Sequence, residues 1–326
     1  MRVLFYNPPG GASVFISQGQ INALRDVGCV VDRWDERQES WDVFAPDVYI
    51  GASGHQQPIP NNRTCKIAMH VNPYGPTRIE PNINESSITI AAVKQARPDV
   101  VFGYGHETDR DLWSFWERDG IPWVPMATAG DATVFTNVGN HNSWDVGYVG
   151  GRWTYKAKNI DAYQLPVLRD KKLLHQVYGW GNWPDGLCLG EIPEHAVPAL
   201  YANSKIAPCI SEPHTITHGI DLPERAFKAA LCGAVVVHDP ALGLVRYIPN
   251  AVIGKDPKDY HTKIRDLAAL SAASLRIIAQ YQRQDVLNAH TYHHRMATLM
   301  KALGFHDIAI LLSNKIASNK AVWASL

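Results

Sequence analysis

No stretch of the 326 residues approaches the roughly 18 consecutive apolar side chains that a membrane-crossing helix needs. The opening MRVLFYNPPGG is also too short an apolar run for a secretory signal. The five cysteines, Cys29, Cys65, Cys188, Cys209 and Cys232, stand singly with no CxxC spacing, so neither a disulfide framework nor a thiolate metal site is signalled. A reducing cytoplasm is the expected location, and the sequons at Asn62 and Asn84 then carry no meaning. Net charge is missing too: 31 basic side chains balance 31 acidic ones, which leaves no strong field for polyanions or acidic membranes. Low-complexity segments and solenoid repeats are likewise absent.

What is present is a core. Hydrophobic residues make up 46% and charged residues 19%, the balance of a soluble globular chain, and the length favours two domains over one. Charge is unevenly shared: residues 1–150 carry 11 basic and 17 acidic side chains, residues 151–326 carry 20 and 14. An anionic ligand therefore favours the second half.

Both halves alternate strand, turn and helix. RVLFY reads as a buried strand, NPPGGAS as a glycine-rich turn containing Gly11, and SQGQINALRDVG as a helix stopped at Gly28. PDVYIGASGH and PDVVFGYGH nearly repeat each other, each a buried strand running into a glycine turn and a histidine, and CKIAMH between them is a further strand. Parallel sheets carry ligands outside the carboxyl ends of their strands, so His55, His70 and His106 are expected there. The polar NVGNHNSWDVG marks a boundary, which predicts domains over 1–142 and 143–304 and a helical tail over 305–326 that packs on the first domain or on a partner.

In DLPERAFKAALCGAVVVHD, Asp221 has the look of an N-cap with Glu224 at capping-box spacing, placing Arg225 in the first helical turn. A cation there opposes the helix dipole by about 0.3–1 kcal/mol unless an anion is bound, and a diphosphate suits both the free amides and the guanidinium. Pairing of Arg225 with Glu224 or Asp221 is the alternative. YVGGRWTYKAK adds a strand ending at Gly150 and Gly151, where backbone can approach a phosphate, followed by Arg152, Lys156 and Lys158.

The succession GYVGG, VYGWGN, GEIPEHAVPALYANSKIAPCI, ERAFKAALCGAVVVHD and HTYHHRMATLMKAL resembles the donor-nucleotide domain of GT-B glycosyltransferases, above all the CgeB-like, spore-maturation group. In block order it is also similar to the bacteriophage DNA β-glucosyltransferases. The resemblance covers residues 145–303 well and the first domain in layout alone. It implies an α/β fold, GT-B, with two Rossmann-like domains facing across a cleft. It also implies a nucleotide-sugar donor, UDP-linked, held by Arg225 and the Gly150–Gly151–Arg152 turn with Lys156, Glu224 and Gly11 nearby. The base would lie on the backbone near Glu191 and Ile192. One residue departs from the pattern: Lys228 stands where a ribose-binding glutamate is usual, and a lysine accepts no hydrogen bonds. Glu224 is then either the substitute or the i,i+4 partner of Lys228.

Transfer also needs a base for the acceptor hydroxyl. His70 is the first candidate, since it ends a buried strand and matches the place of the phage enzyme's carboxylate base. His106 and Glu107 compete, and His55 is assigned to the acceptor. No metal, other cofactor or membrane is expected. The acceptor implied by the phage resemblance is a 5-hydroxymethylpyrimidine flipped out of duplex DNA, against which the acidic first half counts. A glycan or small molecule is the alternative, and a metal-dependent hydrolase built on His55, His70 and His106 is the reading from another class. Trp153, Trp180 and Trp183 are candidate stacking surfaces, and His290 with His294 has i,i+4 spacing on a helix.

Overall fold

The computed structural model describes residues 1–6, 11–52, 64–71, 87–136 and 143–325; His55 and most of NPPGGAS lie outside them. The chain forms two compact units. The first comprises Met1–Ala127 and Tyr292–Ser318, the second Thr128–Thr291 and Asn319–Leu326. Each is built on a fully parallel sheet, and the architecture is α/β with two Rossmann-like units.

In the first unit β1 (Arg2–Phe5), β2 (Val30–Arg33), β3 (Val48–Ala52), β4 (Lys66–His70), β5 (Val100–Gly103) and β6 (Trp123–Pro125) are ordered β2-β1-β3-β4-β5-β6. β3 and β5 are buried along their whole length, as strands covered on both faces must be. The near-repeat PDV has a structural reason. Asp47 accepts a hydrogen bond from the backbone N–H of Arg2 at 2.7 Å, and Asp99 from that of Ile67 at 2.8 Å, so each aspartate holds the start of the neighbouring strand. The helix expected over DRDLWSFWERDG forms as a 3₁₀ segment, Glu107–Trp113, running into an α-turn, Ser114–Arg118.

The second unit holds β7 (Trp144–Val149), β8 (His175–Tyr178), β9 (Ser204–Cys209), β10 (Val235–His238) and β11 (Val252–Ile253), in the order β11-β10-β9-β7-β8. Strand order reverses at β7, whose neighbours are β8 on one side and β9 on the other. Such a reversal opens a crevice at the carboxyl ends, the usual ligand position of open parallel sheets.

The unit boundaries depart from 142 and 304. Thr128 donates to the carbonyl of Leu222 at 2.6 Å and the Gly130 amide to that of His290 at 3.0 Å, which commits this stretch to the second unit. The helix Tyr292–Ala302 belongs to the first unit instead. His293 and Lys315 both meet Asp26 at 3.0 Å, and Arg295 donates to the Ala127 carbonyl. The tail is thus the helix His306–Ser325, and its Lys315 packs back on the first unit. Among the described residues, no helix is long and apolar enough to cross a membrane.

Candidate functional site

The site forms where β7 and β9 diverge. Arg225 comes from the helix Glu224–Leu231, whose apolar face of Ala226, Phe227, Ala229 and Ala230 is buried. That helix starts later than the sequence suggests. Pro223 occupies the position before it, and Asp221, at φ +52°, turns its carboxylate to His214 at 3.0 Å instead of to helix amides. Asp221 is therefore not the cap, and Glu224 is the first helical residue.

From the first turn the Arg225 side chain reaches the end of β7. Its Nη1 donates to the Tyr148 hydroxyl at 2.5 Å, and the guanidinium lies 4.7 Å from the centre of the Tyr148 ring. It also lies against the bare Cα of Gly150, where a Cβ would come within 2.5 Å of Nη2. No carboxylate pairs with Arg225 among the described residues.

Lys156, in the helix Thr154–Asn159, joins it. It is 5% exposed and makes no side-chain hydrogen bond or ion pair among the described residues. Burial first, and the Arg225 charge second, pull its pKa down to about 7, against the opposing pull of Glu212 and Asp239. Asp239, fully buried after β10, accepts from the Ser211 amide at 2.6 Å and meets His238 Nδ1 at 2.7 Å. Two basic groups set together without a carboxylate partner, one of them buried, are costly to charge unless an anion joins them.

Arg152 does not converge on this corner with a free charge. Its Nε and Nη2 grip Asp161 at 2.9 and 2.8 Å, and Nη1 donates to the Asn182 carbonyl at 2.6 Å, so each of its three nitrogens is engaged in a strut. Lys156, one turn further on, is the residue beside Arg225. Lys228 is likewise spent: it lies 2.7 Å from Glu194, 2.8 Å from Glu224 and 4.9 Å above the Phe135 ring. Burial alone would lower its pKa, but the two carboxylates outweigh burial and raise it. Glu224 is the i,i+4 partner of Lys228.

β8 supplies the wall. Gly179 (φ +154°) packs so tightly on Gly150 that a Cβ would stand 2.0 Å from its carbonyl oxygen. The indole of Trp180 then lies on Gly151 and stays 51% exposed. The Gly179 amide bonds the Gly190 carbonyl at 2.7 Å, which aligns the loop of Glu191 and Ile192 with the end of β8. Trp183 Nε1 donates to the Trp180 carbonyl, and Trp153 packs near Tyr155.

In the first unit His70 ends β4, its ring 4.2 Å from that of Tyr104. His106 has a structural task. Its Nδ1 accepts from the Thr108 amide at 3.2 Å while Asp109 accepts from its own amide, a reciprocal cap on the 3₁₀ segment. Glu107 is exposed, and Gly11 (φ +69°) precedes the helix Ala12–Arg25. Neither His70 nor His106 belongs to a metal-ligand group among the described residues; the group found there is Glu212, His214 and Asp221. The two carboxylates face opposite ring nitrogens of His214, at 3.8 and 3.0 Å, which is a clamp on the ring more than a chelate. Sequence reasoning missed this clamp because its members are neither contiguous nor periodic.

Residues 162–301 match a family model described as glycosyl transferase-like. No curated protein matches the chain in sequence. Among solved structures, a sucrose-phosphate synthase from Thermosynechococcus elongatus is similar over 92% of this chain and 97% of its own, at 10% identity and a TM-score of 0.62. The T4 phage BGT in complex with its UDP-glucose substrate is similar over 100% of this chain and 98% of its own, at 13% identity and a TM-score of 0.59. TarM is similar over 81% of this chain and 57% of its own, at 10% identity and a TM-score of 0.57.

Proposed function

We propose that the chain transfers a sugar from a nucleoside-diphosphate donor to an acceptor hydroxyl, with the diphosphate held by Arg225 and Lys156 at the end of β7. One observation carries this reading: two basic side chains, the buried Lys156 and the half-buried Arg225, lack carboxylate partners among the described residues at the point where strand order reverses. Charge that develops on a departing diphosphate is stabilised by such preset donors. The glycosyltransferase domain match and the UDP-glucose bound by the phage neighbour support a UDP-linked donor. The half-exposed Trp180 and the loop of Glu191 and Ile192 provide a stacking face and backbone polar groups for the nucleoside.

His70 is proposed as the base that takes the acceptor proton, since imidazole titrates near neutrality. The proposed acceptor is a 5-hydroxymethylpyrimidine in DNA, which the likeness to a DNA-modifying β-glucosyltransferase supports. The acidic balance of residues 1–150 favours a glycan or small-molecule acceptor as the second reading. Mass spectrometry after incubation with UDP-glucose tests both: a mass gain of one hexose on DNA containing 5-hydroxymethylcytosine supports the first. A gain on glycan acceptors alone supports the second. Release of no UDP and transfer to neither, across a panel of nucleotide sugars, would remove the transferase reading.

A further inference from the structure

We propose that the diphosphate site is proton-linked: Lys156, buried beside Arg225 and without an acceptor among the described residues, takes up one proton from solvent as the diphosphate binds. This rests on the reading of the corner as a diphosphate site and adds what controls its affinity.

The geometry is that of two like charges confined together. Lys156 is 5% exposed, and its ammonium has neither a hydrogen-bond acceptor nor an ion-pair partner among the described residues. Groups from each neighbouring element face it. Arg225 approaches from the helix Glu224–Leu231 and stays charged at all working pH. Tyr148 from β7 and Cys209 from β9 are buried and neutral, the thiol pushed up to about 12 chiefly by burial. Glu212 beyond β9 and Asp239 beyond β10 oppose that pull with negative charge, one Asp239 oxygen accepting from the Ser211 amide. On the lysine's own helix, the Tyr155 ring stacks near His214.

Burial and Arg225 together outweigh the two carboxylates and bring the lysine to about 7. A diphosphate changes the sum. Its oxygens supply the missing acceptors and two or more negative charges, which restores the ammonium form. The ammonium then binds the ligand, and the bound ligand holds the proton. Binding and protonation are reciprocal, as linkage requires. A nucleoside diphosphate is itself fully ionised above about pH 7, because its last phosphate proton leaves near 6. Any fall in affinity at higher pH thus belongs to the protein.

Calorimetric titration of the full chain with UDP from pH 6 to 9, in buffers of differing ionisation enthalpy, tests the inference. The expected result is a Kd that weakens towards tenfold per pH unit above pH 7, with close to one proton taken up per UDP at pH 8. Lys156→Arg should flatten that profile and still bind UDP at pH 9, because guanidinium does not deprotonate. Lys156→Met should bind weakly and without proton uptake at every pH. A Kd that stays flat from pH 7 to 9 with no proton uptake, while UDP binds, would overturn the proton link alone. Absence of binding by UDP, GDP and ADP at every pH would overturn the diphosphate reading beneath it.

Discussion

The guanidinium of Arg225 occupies the space that a side chain on Gly150 would need: a Cβ there would fall 2.5 Å from Nη2 and 2.7 Å from Nη1. The obstructed group is the tip of a long side chain, so the clash is relieved by moving Arg225 and not the sheet. Gly150→Ala should therefore fold normally and bind UDP at least tenfold more weakly, about 1.4 kcal/mol. Calorimetry and a thermal melt read the two effects separately. An unchanged Kd would show that Arg225 does not hold the diphosphate.

Lys228 poses the opposite case, a buried cation fully used by protein. Replacing it with methionine leaves Glu224 and Glu194 facing each other without their shared charge. Loss of one member of a buried ion cluster costs about 3–5 kcal/mol; Glu194 is partly exposed, which puts the expectation at the low end, about 3 kcal/mol. Denaturant unfolding measures it. The pH dependence has a definite sign. The lysine's folded pKa is raised, so its stabilisation is complete below the unfolded value near 10.4 and is lost as pH climbs through the higher folded value. Wild type and Lys228→Met should thus converge in stability only in strong alkali.

Much of this architecture was legible in the sequence, and the reason is periodicity. Short, largely apolar runs ending in glycine or histidine, such as CKIAMH and GYVGG, read as buried parallel strands, and strands β4 and β7 lie there. Arg225 was found because a cation in a first helical turn is anomalous. What stayed hidden depends on long-range contacts. Nothing local to Arg152 reveals that Asp161 and the Asn182 carbonyl consume its guanidinium. Nothing local to Tyr292–Ala302 reveals that Asp26, 267 residues before His293, recruits that helix to the first unit. Lys156 was one basic residue among several until burial singled it out.

Trp180 lies between Gly179 and Gly181 with its indole on Gly151, and it remains half exposed. An exposed aromatic ring beside the proposed diphosphate corner suits a planar ligand face. Stacking of a base on an aromatic is worth roughly 1–3 kcal/mol by alanine substitution. Trp180→Ala should accordingly raise the Kd for UDP by about tenfold while leaving that for inorganic pyrophosphate unchanged. Equal losses for both ligands would mean that the ring shapes the backbone turn and does not touch the nucleoside.

Lys156 should also leave a mark on stability, with a sign opposite to that of Lys228. Its folded pKa of about 7 lies below the roughly 10.4 of an unfolded lysine, so between these values the unfolded chain holds a proton that the folded chain does not. The group's contribution therefore rises as pH goes from 7 to 10 and is lowest, and level, below 7. At about 1.4 kcal/mol per unit, the cost at neutral pH is at most about 4–5 kcal/mol. Lys156→Met removes that cost and retains much of the apolar stem. The variant should melt several degrees higher than wild type at pH 7, about 2–4 °C for each kcal/mol gained, with the gap closing towards pH 10. A site kept at the expense of stability is one whose charge is needed for a ligand. A variant that melts lower than wild type at pH 7 would instead make Lys156 a structural residue with an adequate partner in the folded chain.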